Sequence, residues 1–276
     1  MADQEIAVVL MIGENHRKIY DSRTLLAFVH IRKCAGTTLL SILRSNFFLT
    51  HLDIKPATKR HKRFLDDQDL RFALRINPFI SSIAGHKVSP AARLETLVPN
   101  IRYITTFRDP RARYLSDYIY HVEVEKRPVT FEHWLTIEQF KNCQTKAITG
   151  TSNVDNAIDA IEKQLWLVGI CEAYDEFLLM LKKKLAIPGF DIRYKSRRVA
   201  SDRKATDRAR QIEWDKYHDA IYENNRSDYE LYNYVRQIVL PRQRSGYGAE
   251  LERDLAEFKK ELRGYRPNRL KEFVCC

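Results

Sequence analysis

The chain is poor in the features that mark several common protein classes. Its 276 residues include five cysteines, Cys34, Cys143, Cys171, Cys275 and Cys276, with no C-x-x-C spacing. That pattern indicates neither a zinc site nor a disulfide scaffold, and it suits a reducing compartment. The nine glycines form no G-x-G-x-x-G fingerprint and no Gly/Ser linker. The Walker A pattern G-x-x-x-x-G-K-[ST] is missing. No apolar run approaches the roughly 18 residues of a membrane span. Internal repeats and low-complexity tracts are absent. The opening Met1-Ala2-Asp3-Gln4-Glu5 is acidic and the apolar stretch 6–12 is short, so no secretory signal is expected. The spacing of acids and histidines suggests no metal site. Acidic residues are outnumbered: 36 Asp+Glu stand against 47 Lys+Arg, a formal charge of +11. This excess favours anionic partners without choosing among nucleotides, acidic glycans, nucleic acid and membrane.

What is present has a clear order. Apolar runs at 26–31 and 166–170 read as strands, 101–107 reads as a strand from its β-branched and aromatic residues, and 82–84 leads into Gly85-His86. Helical periodicity occupies 37–47, 90–97, 111–124, 130–135, 141–148, 154–164 and 174–185. Alternation of this kind predicts an α/β fold with a central parallel sheet flanked by helices. One domain over 1–276 is expected. Residues 50–75 read as a basic loop with a short helix, and 195–210 as a second basic stretch. Helices are expected over 211–224, 227–239 and 249–263. In the last, Leu251, Leu255, Phe258 and Leu262 share one side, which favours docking onto its own domain over a homodimer seam.

Two segments carry chemistry. In the first, the strand at 26–31 runs into Arg32-Lys33-Cys34-Ala35-Gly36-Thr37-Thr38 and then a helix. A loop entering a helix aims unpaired amides at whatever lies before it, with the positive end of the helix dipole behind them. Gly36 permits close backbone approach, Arg32 and Lys33 add charge, and Thr37 and Thr38 add hydroxyls. In the second, Arg108 ends the strand at 101–107, at the ligand-binding edge of an open α/β sheet. Ser116 follows eight residues on, about two helical turns away. A guanidinium and a hydroxyl converging there suit a phosphate monoester. The residues alone leave two plainer readings open: an ordinary strand-to-helix turn, and an Arg108 paired with Asp109.

Taken together, the segments resemble the nucleotide motifs of carbohydrate sulfotransferases that use 3′-phosphoadenosine 5′-phosphosulfate (PAPS), of the heparan/uronyl 2-O and 6-O type and their bacterial relatives. His30-Ile31-Arg32-Lys33-Cys34-Ala35-Gly36-Thr37-Thr38 resembles the 5′-phosphosulfate loop, though Arg32 stands where the family usually has Pro. Phe107-Arg108-Asp109-Pro110 through Ser116 and Tyr118 resembles the 3′-phosphate motif. Gly85-His86 lies where these families place a catalytic His. Asn142-Cys143-Gln144-Thr145-Lys146 with Gly150, the stretch 168–177, and Asn225, Asp228, Leu231 and Tyr232 resemble later motifs. The likeness spans about 26–235 and leaves 50–75 and a C-terminal helical extension at about 241–276 unmatched.

The resemblance implies a P-loop-like sulfotransferase fold and an enzyme that moves a sulfuryl group from PAPS to a carbohydrate hydroxyl. Lys33 and His86 would be catalytic. Arg32, Lys33, Ala35, Gly36, Thr37, Thr38, Arg108, Ser116 and Arg198 would hold the nucleotide. An acidic glycan fits the basic surface, including 59–63. His is the usual base near neutral pH, and His86 is chosen for its place between the motifs. His30 is expected in the core. A cytoplasmic location is expected, with a Golgi-lumen catalytic domain lacking its anchor as the alternative. Two other readings compete: a P-loop-like nucleotide kinase or hydrolase, and a nucleic-acid-binding protein. The missing Walker A counts against the first, and the dispersed tyrosines count against the second.

Overall fold

The computed structural model describes residues 24–56, 63–195 and 214–266. Arg198 and most of the basic stretches at 59–63 and 195–210 lie outside these residues. In chain order the elements are β1 (Leu25–Val29), α1 (Gly36–Asn46), β2 (His51–Asp53), α2 (Asp67–Ile76), β3 (Ser82–Gly85) and β4 (Ile101–Phe107). Then come α3 (Pro110–Ile119), α4 (Phe131–Thr136), α5 (Cys143–Thr149), α6 (Val154–Lys163) and β5 (Leu165–Ile170). α7 (Tyr174–Leu185), α8 (Trp214–Asn224), α9 (Arg226–Tyr234), α10 (Leu240–Tyr247) and α11 (Leu251–Gly264) complete the order.

The five strands form one parallel sheet in the order β2-β3-β1-β4-β5. The architecture is therefore α/β, as expected. β1 is central because its sequence, Leu-Leu-Ala-Phe-Val, is apolar at every position and buried throughout. Its side chains alternate between two cores. Leu25, Ala27 and Val29 join one with residues of α2, α6 and α9. Leu26 and Phe28 join the other with residues of α1, α7 and α11. From β1 the chain goes to the edge of the sheet at β2 and returns through β3, then crosses β1 to β4 and β5. The carboxyl end of β1, between β3 and β4, is thus the point where the winding reverses, the usual ligand site of such sheets.

The structure corrects several elements. β2 sits inside the stretch expected to be loop. The segment 90–97 is two 3-10 turns, Pro90–Ala92 and Leu94–Thr96, because Arg93 between them is left-handed. Beyond α9 the chain stays helical through a π turn, Val235–Val239, into α10. Pro241 lies within this continuous helix, just after the π turn. The apolar side of α11 docks onto α7, with Leu251 and Phe258 buried and Leu255 and Leu262 beside them. Among the described residues, no helix is long and apolar enough to cross a membrane.

One close approach ties β5 to α7. A Cβ on Gly169 would lie 2.6 Å from ring carbons of Phe177. Gly169→Ala is expected to force α7 outward and to cost about 1–3 kcal/mol. Urea denaturation with an unchanged m-value checks this.

Candidate functional site

The carboxyl ends of four strands converge. His30 follows β1, His86 follows β3, Arg108 follows β4, and Cys171 and Glu172 follow β5. With the loop at 32–38 and residues of α3, they line a cavity of about 650 Å³. Arg32, Lys33, Ala35, Gly36, Thr37, Thr38, His86, Arg108 and Ser116 all line it. The sequence-expected site residues therefore come together, except Arg198, which lies outside the described residues.

The loop owes its shape to two left-handed residues that are not glycine. Lys33 has φ 63° and Ala35 has φ 58°. Each costs roughly 1–2 kcal/mol relative to ordinary backbone, so the surroundings must hold them. The Arg108 guanidinium donates to the Lys33 carbonyl at 3.2 Å, and the Thr106 hydroxyl donates to the Cys34 carbonyl at 2.6 Å. Thr105 donates in turn to the Val29 carbonyl at 2.9 Å, tying β4 to the end of β1. α1 then starts at Gly36 with no side-chain cap and no acid in its first turn. The Thr38 amide turns back to the Ala35 carbonyl at 3.1 Å, and the Gly36 and Thr37 amides before it face the anion position of a helix start. The Lys33 ammonium lies over the Tyr120 ring, 4.1 Å from its centroid. Gly36 is required by a neighbour: a Cβ there would lie 2.0 Å from the His30 ring.

A buried clamp stands behind Arg108. Gln144 accepts from the Arg108 amide at 2.8 Å and donates to the Arg108 carbonyl at 2.9 Å. The Cys34 thiol reaches the same Gln144 oxygen at 3.4 Å. Asp228 accepts from the Gln144 amide (3.1 Å), the Thr145 amide (2.8 Å) and the Thr145 hydroxyl (2.8 Å). Gln144, Thr145 and Asp228 are buried. Burial pushes the Asp228 carboxyl up, and Arg113 with these three donors opposes the shift. The segments at 142–146 and 225–232 thus act from behind the cavity, by fixing Arg108.

Two polar residues at the rim are already engaged. The Arg32 guanidinium donates to Asp117 at 3.3 Å, which also holds Arg113 at 3.2 Å. Glu172 accepts from the Asp109 amide and from the Tyr232 hydroxyl, both at 3.0 Å. Asp109 caps α3 by accepting from the Ala112 amide at 2.8 Å. The plain reading of Arg108 paired with Asp109 is not what the geometry gives.

Two histidines stand beside the loop, His30 against Gly36 and His86 against His30. His86 Nδ1 lies 2.6 Å from the His30 carbonyl oxygen. A carbonyl only accepts, so Nδ1 carries the proton and Nε2 holds the lone pair. His86 is exposed at the cavity rim, yet its ring face is covered by His30, with centroids 4.1 Å apart. This partial desolvation holds the His86 imidazole below its ordinary 6.5, although the bond to the His30 carbonyl pulls the other way. His30 is pushed down to about 3, first by burial and then by His86 beside it.

No family model and no curated protein matches the chain. Among the described residues, no group of three or more His, Cys, Asp or Glu is arranged to hold a metal ion.

His30 corrects the sequence expectation: it lines the cavity instead of filling the core. Tyr120, Glu125, Cys171 and Glu172 were also missed. The strand-end rule marks His30, Cys171 and Glu172. Tyr120 lies four residues beyond Ser116, on the same helical side.

Folding keeps His30 neutral, because its folded value lies below the unfolded 6.5. Its share of stability is complete above pH 6.5 and is lost as the pH falls toward 3. His30→Gln is expected to flatten the fall of unfolding free energy with acidification, measured by urea titrations at successive pH values.

Proposed function

We propose that the cavity takes PAPS and that the protein transfers its sulfuryl group to a hydroxyl of a carbohydrate acceptor. The observation that carries this reading is the shared cavity itself. It brings together a phosphate-gripping loop, the Arg108 and Ser116 side chains, and a histidine whose tautomer is fixed with Nε2 as the basic nitrogen. A nucleotide with phosphates at both the 5′ and 3′ positions matches the two anion sites.

The residues divide the work as follows. The leading amides of α1, with Thr37 and Thr38, hold the 5′-phosphosulfate. Arg108 and Ser116 hold the 3′-phosphate. His86 Nε2 takes the proton of the acceptor hydroxyl as the new sulfur–oxygen bond forms and the bond to the 5′-phosphate breaks. Lys33 and the α1 amides stabilise the charge left on the phosphate oxygen. Arg32, tied to Asp117, shapes the loop more than it contacts the nucleotide. An acidic glycan suits the +11 formal charge. The free thiols of Cys34, Cys143 and Cys171 suit a reducing, cytoplasmic setting.

Two variants test the reading. His86→Ala is expected to lower transfer by about 10²–10⁴-fold while 3′,5′-bisphosphoadenosine still binds within a few-fold. In the unaltered protein, transfer should rise with pH through an inflection below 6.5, since the base must be neutral. Substantial transfer by His86→Ala places the base elsewhere. Arg108→Ala is expected to weaken 3′,5′-bisphosphoadenosine by about 10–100-fold and adenosine 5′-phosphate far less. Because Arg108 also supports the loop, Ser116→Ala provides the cleaner contrast, with a smaller loss confined to the 3′-phosphorylated ligand. Equal losses for both ligands remove the 3′-phosphate assignment.

A further inference from the structure

The end of the sheet opposite the cavity carries a second feature. Among the described residues nine large apolar side chains are exposed, and five of them gather here: Phe48, Leu49, Phe72, Ile76 and Phe79. Phe48 and Leu49 form the turn between α1 and β2. Phe72 and Ile76 lie on α2. Phe79 lies in the turn that enters β3. The two turns are fastened together, since Asn77 Nδ2 donates to the Leu49 carbonyl at 3.0 Å and the Ser81 amide to the Thr50 carbonyl at 2.8 Å. Leu49 is 75% exposed and Phe79 is 71% exposed, so these side chains project from turn tips.

The exposed face of α2 beside them is basic. The exposed face of α2 runs Gln68, Arg71, Phe72, Arg75, Ile76, at helical spacing and without a carboxylate. The acids nearest in sequence keep their charge but lie off this face, hydrogen-bonded within the fold. Asp53 pairs with Arg44, Asp67 accepts from the Thr96 hydroxyl, and Asp66 and Asp69 close the capping box of α2. A two-fold contact through this face would dry Arg71 and Arg75 against a copy of a face whose exposed α2 positions offer no carboxylate. An anionic lipid surface removes that conflict: guanidinium groups meet headgroups while phenyl and aliphatic groups enter the acyl boundary.

We propose that this face binds an anionic membrane surface peripherally. All five strands are parallel, and the patch lies at their amino ends while the cavity lies at their carboxyl ends. A membrane-bound protein therefore keeps the cavity open to the aqueous phase. The proposal is independent of what the cavity binds.

Co-sedimentation of the full chain with phosphatidylcholine vesicles, with and without phosphatidylserine, tests it. Binding is expected only with phosphatidylserine, and it should weaken as salt rises. Arg71→Gln and Arg75→Gln should each lower partitioning about fivefold. Phe72→Ser with Phe79→Ser should lower it at least about tenfold. All four positions are exposed, so unchanged thermal unfolding confirms that the variants fold. Absence of binding to phosphatidylserine vesicles, or binding unaffected by these substitutions, overturns the proposal. So does a concentration-dependent dimer, seen by analytical ultracentrifugation, that Phe72→Ser with Phe79→Ser dissociates.

Discussion

Everything at the cavity depends on the turn after β1 being held in a conformation that its own residues disfavour. Lys33 and Ala35 both sit at positive φ without being glycine. That geometry swings the Lys33 ammonium toward Tyr120 and opens the amino end of α1. The restraint comes from β4, through the hydrogen bonds of Thr106 and Arg108 to consecutive loop carbonyls. Arg108 is positioned in turn by Gln144, and Gln144 by Asp228 from a distant part of the chain. A loop, a strand end and two helices thus share one set of restraints. The strain is stored where the chemistry is proposed.

Burying Asp228 is tolerable because its oxygens are met by three donors from one short helix, with Arg113 supplying opposite charge nearby. The same economy appears at the histidines. One carbonyl, that of His30, fixes the His86 tautomer, while the His30 ring covers His86 and rests on Gly36. Gly36 therefore links the anion loop to the candidate base. Any larger residue there would displace His30, and His86 with it.

Much of this was legible in the sequence, and for physical reasons. β1 announces itself because a central parallel strand is buried on both faces and reads as an unbroken apolar run, and β4, Ile-Arg-Tyr-Ile-Thr-Thr-Phe, through its β-branched and aromatic residues. The loop and Arg108–Ser116 announce themselves because anion binding at strand ends needs particular residue types at particular spacings. β2 did not, since a three-residue edge strand, His-Leu-Asp, has no pattern of its own. The helix expected over 90–97 failed at Arg93, whose left-handed turn no propensity marks. His30 was misplaced because a histidine closing an apolar run looks like core until the strand's true end, at Val29, is known. The clamp was visible only as motif likeness. Its role needs the contact between Gln144 and Asp228, 84 positions apart.

Isothermal titration of the full chain with 3′,5′-bisphosphoadenosine and with ATP·Mg²⁺ tests the two-anion cavity most directly. Saturable binding of the bisphosphate, with ATP·Mg²⁺ at least about tenfold weaker, is the expected result. Equal or tighter binding of ATP·Mg²⁺ contradicts a site built around the 3′-phosphate.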